Sequence, residues 1–541
     1  MTEPAIPARR ISTRATGVVG IAVLCSRVLG LIREQIFAGL FGAGKNLDAF
    51  LMAFRVPNLL RDLFAEGALS TAFITTFSKK IATEGDESAW RLAHKVATLT
   101  VIFMSAVTLL GVLFTPQLMQ VIAPGFAPEK AQLTILLARI MWPFILLVSV
   151  AALVMGMLNA KHVFGAPAMA SSYFNLGSII SGVALAYLFD PQENWAHPQF
   201  GARALIGLAI GTLVGGLWQL TAQFPALRRI GYKFRPDLAW RDPGVRTVLT
   251  LMGPAVVAAS AVQVNVLVNS AFASGLGDGP VSWLSIAFRL MQLPLGIFGV
   301  AIGTVTLPLV SRSAAVGNME EFRSLLARGM RLAFLLTIPS AIGLAMLAEP
   351  IISVIYEHGR FTAEMTSQTA GALQFYAIGL VAYSALKVLT PAFYAIDKKK
   401  TPMIASFIAI GTNLLLNWIF TVRLGWGHRG LAFSTSLVAT INFLILYALM
   451  KHHSRGLETG AMIKTLAKLL LASALLAGIC LLAQHFVFAA TGATLWRKAV
   501  GLLVTIAVGS AAFFGTAYLL HVAELRDVVT LVRGRFSRLR A

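Results

Sequence analysis

Charge is scarce in this chain, and negative charge scarcer: 45 Lys and Arg with 23 Asp and Glu make up only 13% of its 541 residues. Soluble globular domains carry about 25% charged residues, so a water-solvated fold of this length is excluded. Cysteine is nearly missing. Cys25 and Cys480 lie far apart inside apolar segments, which leaves no disulfide framework and no metal cluster, and both read as packing residues. No small-residue cleavage site follows the first apolar run, which comes after MTEPAIPARR. That run is expected to stay as helix 1 rather than to leave as a signal peptide. Short alternating segments are absent too, which excludes a membrane β-barrel. Nothing resembles an ATPase domain, so transport would draw on an ion gradient, the membrane potential or the supply of substrate.

What is abundant is apolar sequence: 57% of residues are hydrophobic and the mean hydropathy is +0.76. A helix crosses a bilayer in roughly 20 residues, and apolar segments of that length begin near residues 15, 47, 92, 131, 165, 203, 246, 281, 322, 366, 402, 430, 463 and 497. The expected fold class is an all-α polytopic membrane protein with about 14 transmembrane helices. Basic residues test the count. With the N-terminus cytoplasmic, 29 of the 45 Lys and Arg fall in inside segments, 8 in outside loops and 8 within spans. This is positive-inside topology with both termini cytoplasmic; an odd number of spans would put the basic tail, Arg526 to Arg540, outside. The net charge of +22 lies between hydrophobic spans rather than on a solvated domain, which argues against nucleic acid as a partner.

The chain repeats itself. Ala53-Phe54-Arg55 recurs 234 residues on as Ala287-Phe288-Arg289; Ser78, Pro116 and Gly125 recur as Ser311, Pro350 and Gly359; Gly201-x-Arg203-x-Leu205 recurs as Gly427-x-Arg429-x-Leu431. Matches in order at a nearly constant offset imply two six-helix lobes. Six is even, so both lobes keep one orientation about a pseudo-two-fold along the membrane normal, as in transporters that rock around a central site. The expected layout is a cytoplasmic N-terminal tail (1–14), a first lobe of helices 1–6 (15–227) and a basic cytoplasmic linker (228–245). A second lobe of helices 7–12 (246–450), a final helix pair (451–522) and a basic cytoplasmic tail (523–541) follow.

The densest charge lies in one apolar stretch, Ser26 to Glu66, which holds Arg27, Arg33, Glu34, Asp48, Arg55, Arg61, Asp62 and Glu66. A charged side chain at a membrane helix centre costs roughly 2.5 to 3.5 kcal/mol on translocon scales, so such residues face a partner or a water-filled cavity. Arg27 and Glu34 share a face of helix 1, with Arg33 about 120 degrees away; Asp48, Arg55 and Asp62 form a stripe on helix 2, where Pro57 permits a kink. Arg55 with Asp48 or Asp62 fits an ordinary ion pair. Arg27, Arg33, Arg61 and Arg289 have no equal set of acids to neutralise them, and the guanidinium fork matches phosphate and carboxylate oxygens. An anionic substrate is therefore expected. Gly39-Leu-Phe-Gly-Ala-Gly44-Lys45 has P-loop spacing, but Asn46 stands where Ser or Thr is required and the segment follows a membrane helix instead of a strand. In the second lobe Asn265 and Asn269 on helix 7, and Asn413 and Asn417 on helix 11, are spaced i, i+4, so each pair shares one face. Two readings stand: interhelical hydrogen bonding, worth about 0.6 kcal/mol on average in a membrane, or a small-cation site made of amide oxygens.

At SRVLGLIREQIFAGLFGAG, PNLLRDLFAEGALSTAF, APGF, SWLSIAFRLMQLPLGIFGVAIGT and GRFT, in this order, the sequence resembles the MurJ (MviN) family of lipid II flippases, of the multidrug/oligosaccharidyl-lipid/polysaccharide exporter superfamily. The resemblance covers nearly the whole chain from helix 1 onward. It implies two lobes plus a C-terminal pair forming a groove for a polyprenyl tail. It also implies movement of lipid II, the undecaprenyl-diphosphate-linked muropeptide, from the inner to the outer leaflet of the bacterial cytoplasmic (inner) membrane by alternating access. Membrane lipids and cell-wall synthesis proteins are the other partners it points to. Matched by motif, the cavity arginines would be Arg27, Arg33, Arg61 and Arg289, and Ser26, Asp48 and Glu66 also fall on positions the family uses. Asp62 stands where some members have a second arginine, and Phe288 and Gln292 replace acids that some place around the helix 8 arginine. One branch of the family has a sodium site joining helices 7, 11 and 12, whose acids are amides here. No enzymatic activity, cofactor or resident metal is expected; the membrane potential is the expected driving force, with Na+ or H+ as candidate coupling ions. The rivals are a flippase for another polyprenyl-diphosphate oligosaccharide and a multidrug antiporter, which would want acids in its cavity. A membrane transferase would need a metal-binding acidic motif, for which Asp237 and Asp242 are the loose candidates.

Overall fold

Helices form where the apolar runs predict them. The computed structural model describes residues 13–195, 198–488 and 494–526. In the first half lie α1 (Thr13–Phe41), α2 (Lys45–Leu60, running through π-helical Arg61–Leu69 into Ser70–Glu84), α3 (Asp86–Ile122), α4 (Pro128–Ala160), α5 (Gly165–Phe189), α6 (Ala202–Arg229) and α7 (Pro243–Ser274). The second half holds α8 (Pro280–Ala315), α9 (Met319–Met346), a short helix Ala348–Tyr356, α10 (Ala363–Ala395), α11 (Lys400–Arg423), α12 (Gly427–His453), α13 (Thr459–Phe488) and α14 (Leu495–Leu519). Among the described residues there is no strand. Most of the two expected cytoplasmic tails, and the side chain of Glu66, lie outside the described residues.

Among the described residues, eleven of these helices are long and apolar enough to cross a membrane. The outermost helices argue for lipid. Only 33% of the most apolar window of α13 and 22% of that of α14 is covered by protein, and Leu471 and Leu503 are 62% and 67% exposed. Helices apolar on the uncovered face need hydrocarbon, not water, against them.

The chain divides into two compact units, Met1–Gln263 and Val264–Ala541. The division runs inside α7 and not through the basic linker, because the start of α7 packs into the first unit. Val245 and Val248 are buried there with Phe77, Leu92, Leu227 and Tyr232, and Lys95 Nζ lies 2.6 Å from Asp242.

In the first unit, α5 and α6 touch backbone to backbone. Gly207, Gly211 and Gly215 recur every fourth residue on α6, and a Cβ on Gly211 would come within 2.3 Å of the Gly182 Cα. Small residues at this spacing let membrane helices approach closely and gain van der Waals contact where no hydrophobic drive exists between them. The second unit has a larger core in which Phe322, Phe393 and Phe513 are fully buried. Arg331 on α9 reaches Glu458 at 2.7 Å and Glu524 at 2.5 Å, joining both ends of the α13–α14 pair to that core.

Helix ends follow a rule. The helices α4, α6, α8, α10, α12 and α14 each stop on a left-handed residue, respectively His162, Gly231, Gly317, Asp397, Arg455 and His521. At each, the next amide bonds back five residues, as in Val163 to Leu158 at 2.9 Å and Gly456 to Lys451 at 2.8 Å. These are Schellman turns, which satisfy the last carbonyls of a helix without water. All six close even-numbered helices, so in an alternating topology they share one side of the membrane, the side that the charge pattern expects to be cytoplasmic.

Candidate functional site

Ser26 and Arg33 of α1 are held from α5. Asn175 donates from Nδ2 to the Ser26 carbonyl at 3.1 Å, and the Arg33 guanidinium lies over the Phe174 ring, 5.1 Å from its centroid. Phe174 also meets α6 directly, since its carbonyl would lie 2.6 Å from a Cβ on Gly215. The glycine seam thus sets the depth of α5, and α5 sets the position of Ser26 and Arg33. Arg33 is half-buried, whereas Arg27 is exposed and has no hydrogen bond or ion pair among the described residues.

On α2 the acids are engaged. Asp48 is fully buried and its Oδ2 lies 2.8 Å from Lys130 Nζ, itself 2% exposed and 4.3 Å from the Phe126 ring centroid. Asp48 therefore sits in an intra-protein ion pair. Arg61 donates from Nε and Nη2 to one oxygen of its neighbour Asp62, at 3.2 and 2.9 Å. It stands at the first residue of the π-helical segment, four residues after Pro57. The P-loop-like segment is the turn between α1 and α2: Gly42 is left-handed, and Lys45 pairs with Glu129 at 2.6 Å.

In the second unit Arg289 is half-buried on α8. Phe288, in place of an acid, packs edge-on against Tyr376 at 5.2 Å. A second π-helical turn, Leu295–Gly299, follows. It begins 234 residues after Arg61, at the same offset as the Ala-Phe-Arg repeat.

Three of the four asparagines meet. Asn417 donates from Nδ2 to Asn269 Oδ1 at 2.7 Å and to Asn413 Oδ1 at 3.2 Å. Ser434 on α12 donates to Asn417 Oδ1, and Asn269 donates to Thr435 at 3.2 Å. Helices α7, α11 and α12 are thereby joined. Asn265 is left out of this network, its Oδ1 buried with no hydrogen-bond partner among the described residues. Phe174, Asn175, Lys130, Ser434 and Thr435 carried no sequence signal, because each is an ordinary residue given its role by a neighbour on another helix.

Asp237 and Asp242 hold the linker. Asp237 caps the Ala239 amide at 3.0 Å. Burial pushes the Asp242 carboxyl up, but Lys95 and the amides of Gly244 and Val245 outweigh it and hold its pKa below the usual carboxylate value. Among the described residues no cluster of His, Cys, Asp and Glu could hold a metal.

Solved transporter structures share this fold. An inward-facing multidrug resistance MATE family transporter of the MOP superfamily has the same fold, with a TM-score of 0.66 at 16% identity over 82% of this chain and 98% of that one. The fold is thus that of polytopic, all-α MOP transporters. A structure of lipid II flippase MurJ in an inward closed conformation gives a TM-score of 0.72 at 26% identity, covering 92% of this chain and 98% of the other. A family model described as lipid II flippase MurJ matches residues 37–500. The probable lipid II flippase MurJ of Vibrio cholerae is 34% identical over 524 residues, 94% of this chain and 96% of that protein. Lipid II flippase MurJ of Burkholderia cenocepacia is 33% identical over 473 residues, 86% and 89% of the two chains. The chain belongs to the MurJ family.

Proposed function

We propose that this protein flips lipid II from the inner to the outer leaflet of the bacterial cytoplasmic membrane by alternating access. In this reading Arg27, Arg33, Arg61 and Arg289 hold the pyrophosphate and the muropeptide carboxylates. The observation that supports an anionic cargo best is Arg27, an exposed guanidinium on a membrane helix with no ion pair among the described residues. A cation there costs roughly 2.5 to 3.5 kcal/mol, and a bound phosphate offsets that cost through bidentate hydrogen bonds. The relatives named as lipid II flippases supply the particular anion. In this reading both termini are cytoplasmic, which the excess of basic residues in the inside segments supports.

The membrane potential drives the cycle, because an inside-negative potential moves an anionic headgroup outward and draws an empty, arginine-rich cavity back. The test is depletion of the protein in its host. Lipid II should accumulate on the inner leaflet, and accumulation of another lipid-linked sugar instead would transfer the function to that cargo. Alanine at any of the four arginines should abolish complementation with the protein still in the membrane, and lysine should rescue poorly because it lacks the fork.

A further inference from the structure

At the expected cytoplasmic end of the second unit, Lys398, Lys451, His452, His453 and Arg455 line one open depression of 980 Å³. They come from the turn after α10 and from the last residues of α12 with the turn that follows. Lys398 follows the left-handed Asp397 after α10, and Arg455 is the left-handed residue after α12. Among the described residues Lys398, Lys451 and Arg455 make no ion pair, whereas Arg331 and Lys498 of the same unit do. Positive-inside topology is satisfied by cations anywhere in the inside loops and does not require them to share a hollow. At φ 55 Arg455 occupies the Schellman position that glycine normally takes, as His162, Asp397 and His521 do at other helix ends, and an L side chain is strained there.

The wall above the hollow is apolar. Leu444, 56% exposed, then Ala448 and His452 succeed one another every fourth residue on α12, so they lie on one face. A water-soluble anion needs no such wall; a lipid does. We propose that this hollow binds the phosphate headgroup of an anionic phospholipid of the inner leaflet, with its acyl chains along the Leu444 face of α12. Basic pockets between membrane helices on the cytoplasmic side suit such headgroups.

The test uses the purified full chain in detergent, offered phosphatidylglycerol or phosphatidylcholine with the same acyl chains, with retained lipid read by native mass spectrometry. The wild type should retain phosphatidylglycerol in preference. The Lys398→Gln/Lys451→Gln/Arg455→Gln variant should lose affinity by on the order of a hundredfold, about fivefold for each charge, while Lys79→Gln/Arg91→Gln in the first unit should not differ from the wild type. Arg455→Gly guards against misfolding: it relieves the left-handed backbone, so retention should fall about fivefold with no drop in the thermal midpoint of lipid-free protein. Equal retention of the two lipids by the wild type, or undiminished phosphatidylglycerol on either hollow variant, overturns the proposal. Displacement of the lipid by millimolar glycerophosphate also overturns it, in favour of a free-phosphate site.

Discussion

Asp48 and Lys130 offer the sharpest test of what the charged stretch does. The sequence resemblance implies Asp48 as a substrate position, and in the structure it is wholly buried, 2.8 Å from a lysine that is 2% exposed. Two unit charges at that distance attract by about 6 kcal/mol at an effective dielectric of about 20. Desolvation of the two ions costs several kcal/mol each, so the pair as a whole contributes little net stability. Removing one partner is different. Lys130→Met leaves a carboxylate buried without its cation, and Asp48→Asn does the same to the ammonium; each should destabilise by about 3 to 5 kcal/mol. Neutralising both, in Asp48→Asn/Lys130→Met, should return most of that loss, since methionine keeps the contact with Phe126. Thermal midpoints of the detergent-purified variants measure the stability cycle, and complementation of a flippase-deficient strain measures function. If the double variant is stable and supports growth, the carboxylate of Asp48 is structural. A stable double variant that cannot support growth would show that Asp48 contacts cargo, and a double variant as unstable as either single one would refute the pairing argument.

Gly211→Leu should empty the membrane of folded protein, because its Cβ would meet the Gly182 backbone at 2.3 Å and overpacking costs typically 1 to 3 kcal/mol even where neighbours can move; Gly253→Leu, with open space at its Cβ, should be tolerated, and membrane abundance distinguishes the two. The Asp242 pKa is lowered in the fold, so its contribution to stability is present above the ordinary carboxylate pKa and lost as pH falls through the lowered value; the protection of 233–245 from hydrogen exchange, relative to the intrinsic rate at each pH, should be present at neutral pH, fall in acid, and be low at both in Asp242→Asn. Dissipating the membrane potential should stop flipping in vesicles while ATP removal alone does not, at about 2.3 kcal/mol per charge per 100 mV; unchanged flipping in de-energised vesicles rejects that driving force. At fixed potential flipping should be indifferent to sodium, because the Asn269 and Asn413 oxygens are occupied by the Asn417 amide; a sodium requirement lost in Asn417→Ala would reverse this and make the cluster an ion site.

Helix existence was legible because apolar length decides it, and every expected start has its helix. Partnership between helices was not. Nothing in the run around Lys130 says that the lysine turns inward to Asp48, 82 residues away, and counting it among outside-loop cations treated a buried ion as a solvated one. The i, i+4 spacing put Asn413 and Asn417 on one face and so foretold their meeting. It could not foretell that Asn265 would miss the network while Ser434 and Thr435 joined it, because those contacts depend on the rotation of α7 and α12 about their own axes. The two contact units part inside α7 and not at the linker for a similar reason: a basic linker marks where the chain is wet, whereas Val245 and Val248 record what it packs against.

The repeat separates backbone from chemistry. At the offset of 234 the π-helical turns begin together, at Arg61 and Leu295, and Arg55 corresponds to Arg289. Arg27 and Arg33 correspond to Ala261 and Leu267, and Arg61 to Leu295, so most of the cationic set has no counterpart. The second unit instead places Asn269, Asn413 and Asn417 in a neutral hydrogen-bonded join of three helices. A wide π-turn persists without help from identical side chains because it is a property of backbone hydrogen bonding, and such turns are frequent where function needs a helix to deviate. Arginines within a membrane span persist only where a ligand or partner offsets their cost. Charge confined largely to one half of the sequence repeat is what the proposed cargo would require if one anionic group, and not two, must be held.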